Sequence, residues 1–405
     1  MPGERTAAAR GNRALDLVNF FIADVQTGFG PFVAVYLTTH KWTQVEIGFA
    51  LTLGTITSLV GQLPAGALVD AMRNKRATAF CGLIAIIIAA LLLALQPARL
   101  PVFVAQILHG FASCIITPAI AAISLQLVGH AGLGERLGRN ARFASIGNGL
   151  AAAVMGATGA YISSRMVFLL TAALCIPALI ALVAIGRGTY SRRQTTSRIL
   201  DRNRLRHLFT DRRLLIFSIC VLLFHLSNAG MLPLAGAAVT MRAGDFANLI
   251  IAACIVVPQI VVALLSPWVG RTAERIGRRK LLLLGWGVLP LRGILLAVLP
   301  GPWLLVVGQS ISGISAAVFG VMLPLIAADL TRGTAHFNLC MGALGLGMYI
   351  GAAASTTLSG GIADAVGMQY AFYALAFSGL LGTVLIWLAM PETRATEEPS
   401  PSAPE

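Results

Sequence analysis

Most ionisable residues of this 405-residue chain fall outside its long apolar runs, so the few inside them are the ones to weigh first. Asp24 stands ten residues into the apolar run 14–38, and His225 stands eleven residues into the run 214–240. At 1.5 Å of rise per helical residue each depth is roughly 15 Å, about half the hydrocarbon thickness of a bilayer. A carboxylate at that depth is penalised when charged, which suits Asp24 to take up a proton and release it when its surroundings change. A histidine needs no special environment to titrate near neutral pH. Asp24 and His225 are therefore the proton-coupling candidates. Two other readings of Asp24 stay open: local hydrogen bonding to Asn19, Gln26 or Thr27, and direct binding of a cationic substrate.

The neutral polar residues within apolar runs are candidates for a substrate cavity. In the first half they are Asn19, Gln26, Gln106, His109 and Asn148; in the second, Asn228, Gln259, Gln309 and Tyr349. His109, beside Gly110, reads more often as a hydrogen-bonded packing residue. Arg292 is the one basic residue inside a run. It lies eight residues before Pro300, close enough for its side chain to snorkel outward to the membrane surface. No phosphate-binding loop, no His and acid cluster with metal-ligand spacing and no nucleophile elbow accompanies these residues. The reading is a non-enzyme with no cofactor and no metal, driven by an ion or solute gradient.

The elements that must position these residues are membrane helices. Apolar residues make up 57% of the chain and charged residues 11%, with a mean hydropathy of +0.81; these values lie outside the range of soluble domains. A bilayer needs roughly 20 apolar residues per helix. Twelve such spans are read at 14–38, 45–69, 77–96, 101–128, 143–163, 166–186, 214–240, 246–269, 281–299, 302–328, 338–363 and 368–390. The fold class is thus an all-α polytopic membrane protein. Residues 1–186 form one six-helix bundle, 187–213 a basic linker, 214–390 a second six-helix bundle and 391–405 a disordered tail.

A net charge of +14 is a level that nucleic-acid binding proteins share, but the distribution of the charge argues otherwise. With the N-terminus inside, 25 of the 30 basic residues fall in cytoplasmic segments and four, Lys41, Arg99, Arg165 and Arg242, in outer loops. This is the positive-inside bias. It places both termini in the cytoplasm and makes the lipid bilayer, not nucleic acid, the partner. Asp16, Asn19 and Asp24 in the first run, with no small-residue cleavage site, mark a retained helix and not a signal peptide. The six cysteines, all within spans, read as small packing residues.

The chain repeats itself. Gly66-Ala-Leu-Val-Asp70-Ala-Met-Arg73-Asn-Lys75-Arg76 and Gly270-Arg-Thr-Ala-Glu274-Arg275-Ile-Gly277-Arg278-Arg279-Lys280 lie 204 residues apart. Gln106 to Gly110 in span 4 matches Gln309 to Gly313 in span 10 at an offset of 203. Gly147-Asn148-Gly149 in span 5 matches Gly345-Leu-Gly347 in span 11. Parallel six-helix repeats related by an axis along the membrane normal are a known transporter plan.

On these loops, the span count and the basic linker, the chain resembles the major facilitator superfamily (MFS) over essentially its whole length. The second loop follows the family's signature except for Glu274 in place of Asp. The first has Arg73 where the family prefers Gly and Asn74 where it prefers Arg. The resemblance implies two bundles related by a pseudo-two-fold axis, with spans 1 and 7 lining a central cavity and span 9 at the periphery. It also implies that the loops latch the bundles together on the cytoplasmic side, through Gly66, Asp70, Arg73, Lys75 and Arg76 and through Gly270, Glu274, Arg275, Gly277, Arg278 and Arg279. Physically, an acid at one helix end can pair with nearby arginines or with the positive end of another helix in one state and lose that contact in the other.

Gln106 stands where proton-coupled exporters of the family often carry Arg, and Gly156-Ala157-Thr158-Gly159 lacks their Gly-Pro motif. The expected activity is proton-coupled efflux of a small-molecule substrate by a monomer in a bacterial inner membrane, with protons as the coupling partner. Uniport and proton symport of a small metabolite are the alternatives, together with a ligand sensor or membrane enzyme built on the same fold.

Overall fold

The computed structural model describes residues 2–27, 29, 31–185, 210–235, 247–298 and 302–394, and among them the side chains of 2–9, 24–27, 31, 44, 247–252 and 302–304 are not described. Thirteen helices are described: α1 Pro2–Thr27, α2 Pro31–Thr39, α3 Gln44–Ala71, α4 Lys75–Leu95, α5 Arg99–Val128, α6 Leu133–Tyr161, α7 Ser164–Ala184, α8 Arg212–Asn228, α9 Ala247–Ile276, α10 Arg278–Val298, α11 Pro302–Leu330, α12 Phe337–Val366 and α13 Met368–Ala389. Ten of the described helices are long and apolar enough to cross a membrane. The basic linker lies outside the described residues up to position 209, and the tail lies outside them from position 395.

Local sequence explains where helices start and stop. Thr43 and Glu46 form a capping box at the start of α3, Asn74 caps α4 by accepting from the Ala77 N–H, and Ser163 caps α7 through the Met166 N–H. Gly277, at φ +94°, makes the sharp turn between α9 and α10 in a conformation that favours glycine.

Three boundaries differ from the sequence reading. The first span is not one helix: α1 ends at Thr27 and α2 starts at Pro31, where a proline's missing N–H costs no helical hydrogen bond. The fifth helix starts at Leu133, ten residues before position 143, so Arg136, Arg139 and Arg142 are helical and not loop residues. The eighth continues to Ile276, carrying Gly270 and Glu274 in its last turns. In both cases the helix runs past the apolar stretch, and hydropathy marks only the part that lies in lipid.

The two halves pack alike. In the first, α4 packs on α5 and α7, α3 on α5, and α1 on α6 and α7; in the second, α10 packs on α11 and α13, α9 on α11, and α8 on α12 and α13. Close approaches repeat as well. A Cβ on Gly110 would lie 2.7 Å from the Gly54 carbonyl oxygen, and one on Gly313 would lie 2.6 Å from that of Pro258. Between the halves the principal contacts are α3 with α12 and α6 with α9, joined by α6 with α11 and α5 with α12.

Candidate functional site

Where α3 and α5 of the first half face α12 of the second, a cavity of about 350 Å³ opens. Phe29, Ala34, Leu51, Gly54, Thr55, Ser58, Gln106, His109 and Tyr349 line it. Three of the expected cavity residues, Gln106, His109 and Tyr349, therefore come together from opposite halves. Gln106 and His109 sit one turn apart on α5 and share a face. The His109 ring stacks on Phe29 at 4.0 Å between centroids and 9° between planes. His109 Nε2 and Gln106 Nε2 are both buried without a hydrogen-bond partner among the described residues, an unfavourable arrangement unless something else binds there.

The other expected residues whose side chains are described are placed elsewhere. Asn19 donates to the Leu15 carbonyl of its own helix at 2.7 Å. His225 packs against Phe224 and Phe319, with ring centroids 5.4 and 5.0 Å away, and does not line the described cavity. Gln259 faces Gly149 across the α6–α9 contact, and Asn148 is partly exposed on α6. Asp24 and Gln26 lie on α1, but their side chains are outside those described.

Arg292 does not snorkel outward. It is 2% exposed and donates to Asn228 Oδ1 and, at 2.5 Å, to Gln309 Oε1. Asn228 and Gln309 are thus consumed in holding a cation inside the second bundle, because three polar groups buried together satisfy one another better than lipid can. Gln309 in addition donates to the Met231 carbonyl at 3.4 Å.

At the end of the molecule that carries the basic loops, the acids of both loops accept hydrogen bonds from the opposite half. Asp70, in the last turn of α3, accepts hydrogen bonds from the Asn338 and Leu339 N–H groups at 3.0 and 2.8 Å and from Asn338 Nδ2 at 2.7 Å. These are the second and third residues of α12, so Asp70 caps a helix of the other half. Glu274 does the same in reverse: its Oε1 accepts from the Gly134 N–H, the second residue of α6, at 3.2 Å. A Cβ on Gly66 would come within 2.9 Å of the Asn338 carbonyl carbon, and a Cβ on Gly270 within 2.9 Å of the Gly134 carbonyl carbon.

The basic residues of the loops serve their own halves. Lys75 bonds the Val69 and Asp70 carbonyls, Arg76 the Ile185 carbonyl and Arg279 the Trp387 carbonyl. Arg278, 3% exposed, bonds Asp329 at 2.9 Å and Glu274 at 3.0 Å. Arg73 and Arg275 are exposed. The chain beyond residue 390, expected to be disordered, begins by folding back: Glu392 accepts from the Arg278 and Arg279 N–H groups at 2.8 and 3.1 Å and caps α10. Burial pushes the Glu392 carboxyl up, but N–H groups of Arg278, Arg394 and Arg279 and the Arg278 charge outweigh burial and hold it below its usual range.

Two features of this end are not among the expected site residues. Asp16 on α1 is buried and pairs with both Arg136 and Arg139 of α6, and Arg136 also bonds Asn140 at 2.8 Å and the Asn12 carbonyl at 3.2 Å. The signal was available, since an acid near the start of span 1 needs a counter-charge and Arg136 and Arg139 share a helical face. His130, between α5 and α6, lies against Ala328, Asp329 and Arg332 of the other half. Burial and then Arg332 push its imidazole below the ordinary value, against Asp329 and the Ala328 backbone.

Comparison with known proteins agrees with this architecture. The Major Facilitator Superfamily family model matches residues 15–244 and 217–405. An uncharacterized MFS-type transporter of Mycobacterium tuberculosis (strain ATCC 25618 / H37Rv) is 36% identical over 391 residues, covering 94% of this chain and 93% of its own. The class B tetracycline resistance protein of Escherichia coli is 28% identical over 142 residues, 34% of each chain. Among solved structures, the MFS transporter FucP in the outward conformation matches with a TM-score of 0.73 over 95% of this chain and 98% of FucP, at 14% identity, a likeness of fold. The chain belongs to the major facilitator superfamily and is a multi-pass membrane transporter of that class.

Proposed function

We propose that the protein is a proton-coupled secondary transporter that exports a small solute by alternating access, as a monomer in a bacterial inner membrane. The observation that carries this reading is a cavity between the halves together with the cross-half contacts described at the end that holds the basic loops. The closed end holds Asp70, Glu274 and the basic loops, and the positive-inside bias makes it cytoplasmic. In this state the cavity faces outward. Breaking the acid-to-helix contacts and forming new ones at the far end exposes it inward. Twelve spans follow when α1 and α2 are counted as one and α6 as another.

Asp24 is the proposed proton carrier. At the 204-residue offset of the loops it is the repeat mate of Asn228, and Phe20 is the mate of Phe224. It lies five residues before Phe29, which forms part of the cavity wall. His225 sits among aromatic rings away from the described cavity, so its role is secondary. The match to the tetracycline resistance protein supports export over import.

The test is reconstitution in proteoliposomes with an imposed pH gradient. Wild type should concentrate solute against its gradient as protons flow, whereas Asp24→Asn should keep solute exchange and lose gradient-driven accumulation. Equal accumulation by both proteins would remove Asp24 from coupling.

A further inference from the structure

We infer that the cavity at Gln106, His109 and Tyr349 takes an uncharged, planar one- or two-ring molecule bearing acceptor oxygens. The inference rests on the transporter reading of that cavity and names its substrate class. Its volume, about 350 Å³, is near the small end of the roughly 300–1,000 Å³ range of ligand pockets. That volume suits one or two fused rings.

The walls fix the chemistry. No described lining residue carries a fixed charge, so an ion would shed its hydration without gaining a counter-charge there.

The polar groups set orientation. Gln106, 3% exposed, presents an amide nitrogen with no partner among the described residues; an amide nitrogen only donates, so it calls for an acceptor oxygen. His109 Nε2, also without a described partner, takes either role according to tautomer. The two residues lie one helical turn apart on the same face of α5, a spacing suited to two polar atoms on a small ring system. Tyr349 supplies a flat surface from the other half. Phe29, also in the cavity wall, stacks on one face of the His109 ring.

The test is equilibrium binding to the purified full chain of three size-matched probes: coumarin (neutral, with a lactone carbonyl), N-methylquinolinium (a cation) and 1-naphthoate (an anion). Coumarin should bind about tenfold or more tighter than either ion. Gln106→Leu and His109→Phe should each weaken coumarin about tenfold, as expected when a ligand acceptor is left unpaired. His109→Gln, which restores a donor, should recover most of the loss. Should Gln106→Leu not fold, Gln106→Met carries the same test. Tighter binding of either ion, or coumarin affinity unchanged in the Gln106 and His109 variants, overturns the inference. Counterflow of coumarin in vesicles separates the two levels: an ion that binds and is transported defeats the substrate class alone, whereas site-dependent coumarin binding without counterflow defeats the transport reading alone.

Discussion

The carboxylate of Asp70 in one half of the molecule caps the helix that begins beside Asn338 in the other, accepting the Asn338 and Leu339 N–H groups at 3.0 and 2.8 Å. Glu274 makes the reciprocal contact with a single N–H at 3.2 Å and shares its other oxygen with Arg278. The two latches are therefore unequal. Removing charge-assisted bonds to a helix N-terminus costs about 2 kcal/mol, roughly thirtyfold in an equilibrium. Asp70→Ala should shift the population toward opening at the basic end by about that factor, and Glu274→Ala by several-fold less. Cysteine accessibility at the basic end, compared between the two variants, checks the order.

Gly66 and Gly270 allow the backbones of the two halves to touch. An added methyl at either would meet a carbonyl carbon at 2.9 Å and force the halves apart. Gly66→Ala and Gly270→Ala should each disfavour the closed basic end by about 1–3 kcal/mol. Gly156→Ala, whose added Cβ would meet nothing within 4 Å, should leave it unchanged. The same accessibility assay distinguishes them.

Arg292 holds two amide oxygens at once. Arg292→Met would leave Asn228 and Gln309 buried without their donor, lowering stability by about 2 kcal/mol or more. Arg292→Lys should not restore it, because one ammonium on a flexible stem does not reproduce the planar fork. Thermal unfolding in detergent of the two variants against wild type reads this directly.

His130 gives the closed basic end a pH dependence. Its imidazole is held below the ordinary 6.5 where it meets Asp329, Arg332 and Ala328. A state that exposes His130 to water binds its proton more readily. The closed state thus carries no penalty well above pH 6.5 and an increasing one as the pH falls below it. The closed fraction should fall between about pH 7 and pH 5 in wild type, and His130→Asn should flatten that dependence.

The duplication and the division into two bundles were legible because charge and hydropathy alternate along the chain itself. The glycine and acid positions of the loops were legible for the same reason, since a repeat exposes them in the sequence. The direction of a side chain was not. Arg292 looked able to reach the membrane surface by distance along its helix, and only the arrival of Asn228 and Gln309 from other helices turns it inward. Likewise the sequence offered the latch acids both nearby bases and a neighbouring helix end as partners. Three-dimensional packing gives the crossing contacts to the acids and leaves Lys75, Arg76 and Arg279 within their own halves. Gln106, His109 and Tyr349 were all cavity candidates in the sequence, but only packing shows that these three of the nine candidates line the described cavity.

The central claim is that the two ends of the molecule open in alternation. It is tested most directly by distances between spin labels on a background lacking the native cysteines. One pair, Arg73→Cys with Arg332→Cys, reports the basic end, and Leu100→Cys with Tyr370→Cys reports the opposite end; all four positions are exposed. On adding Asp70→Ala the account predicts that the first distance lengthens as the second shortens. Distances that stay single and fixed at both ends, or that lengthen together, would contradict it.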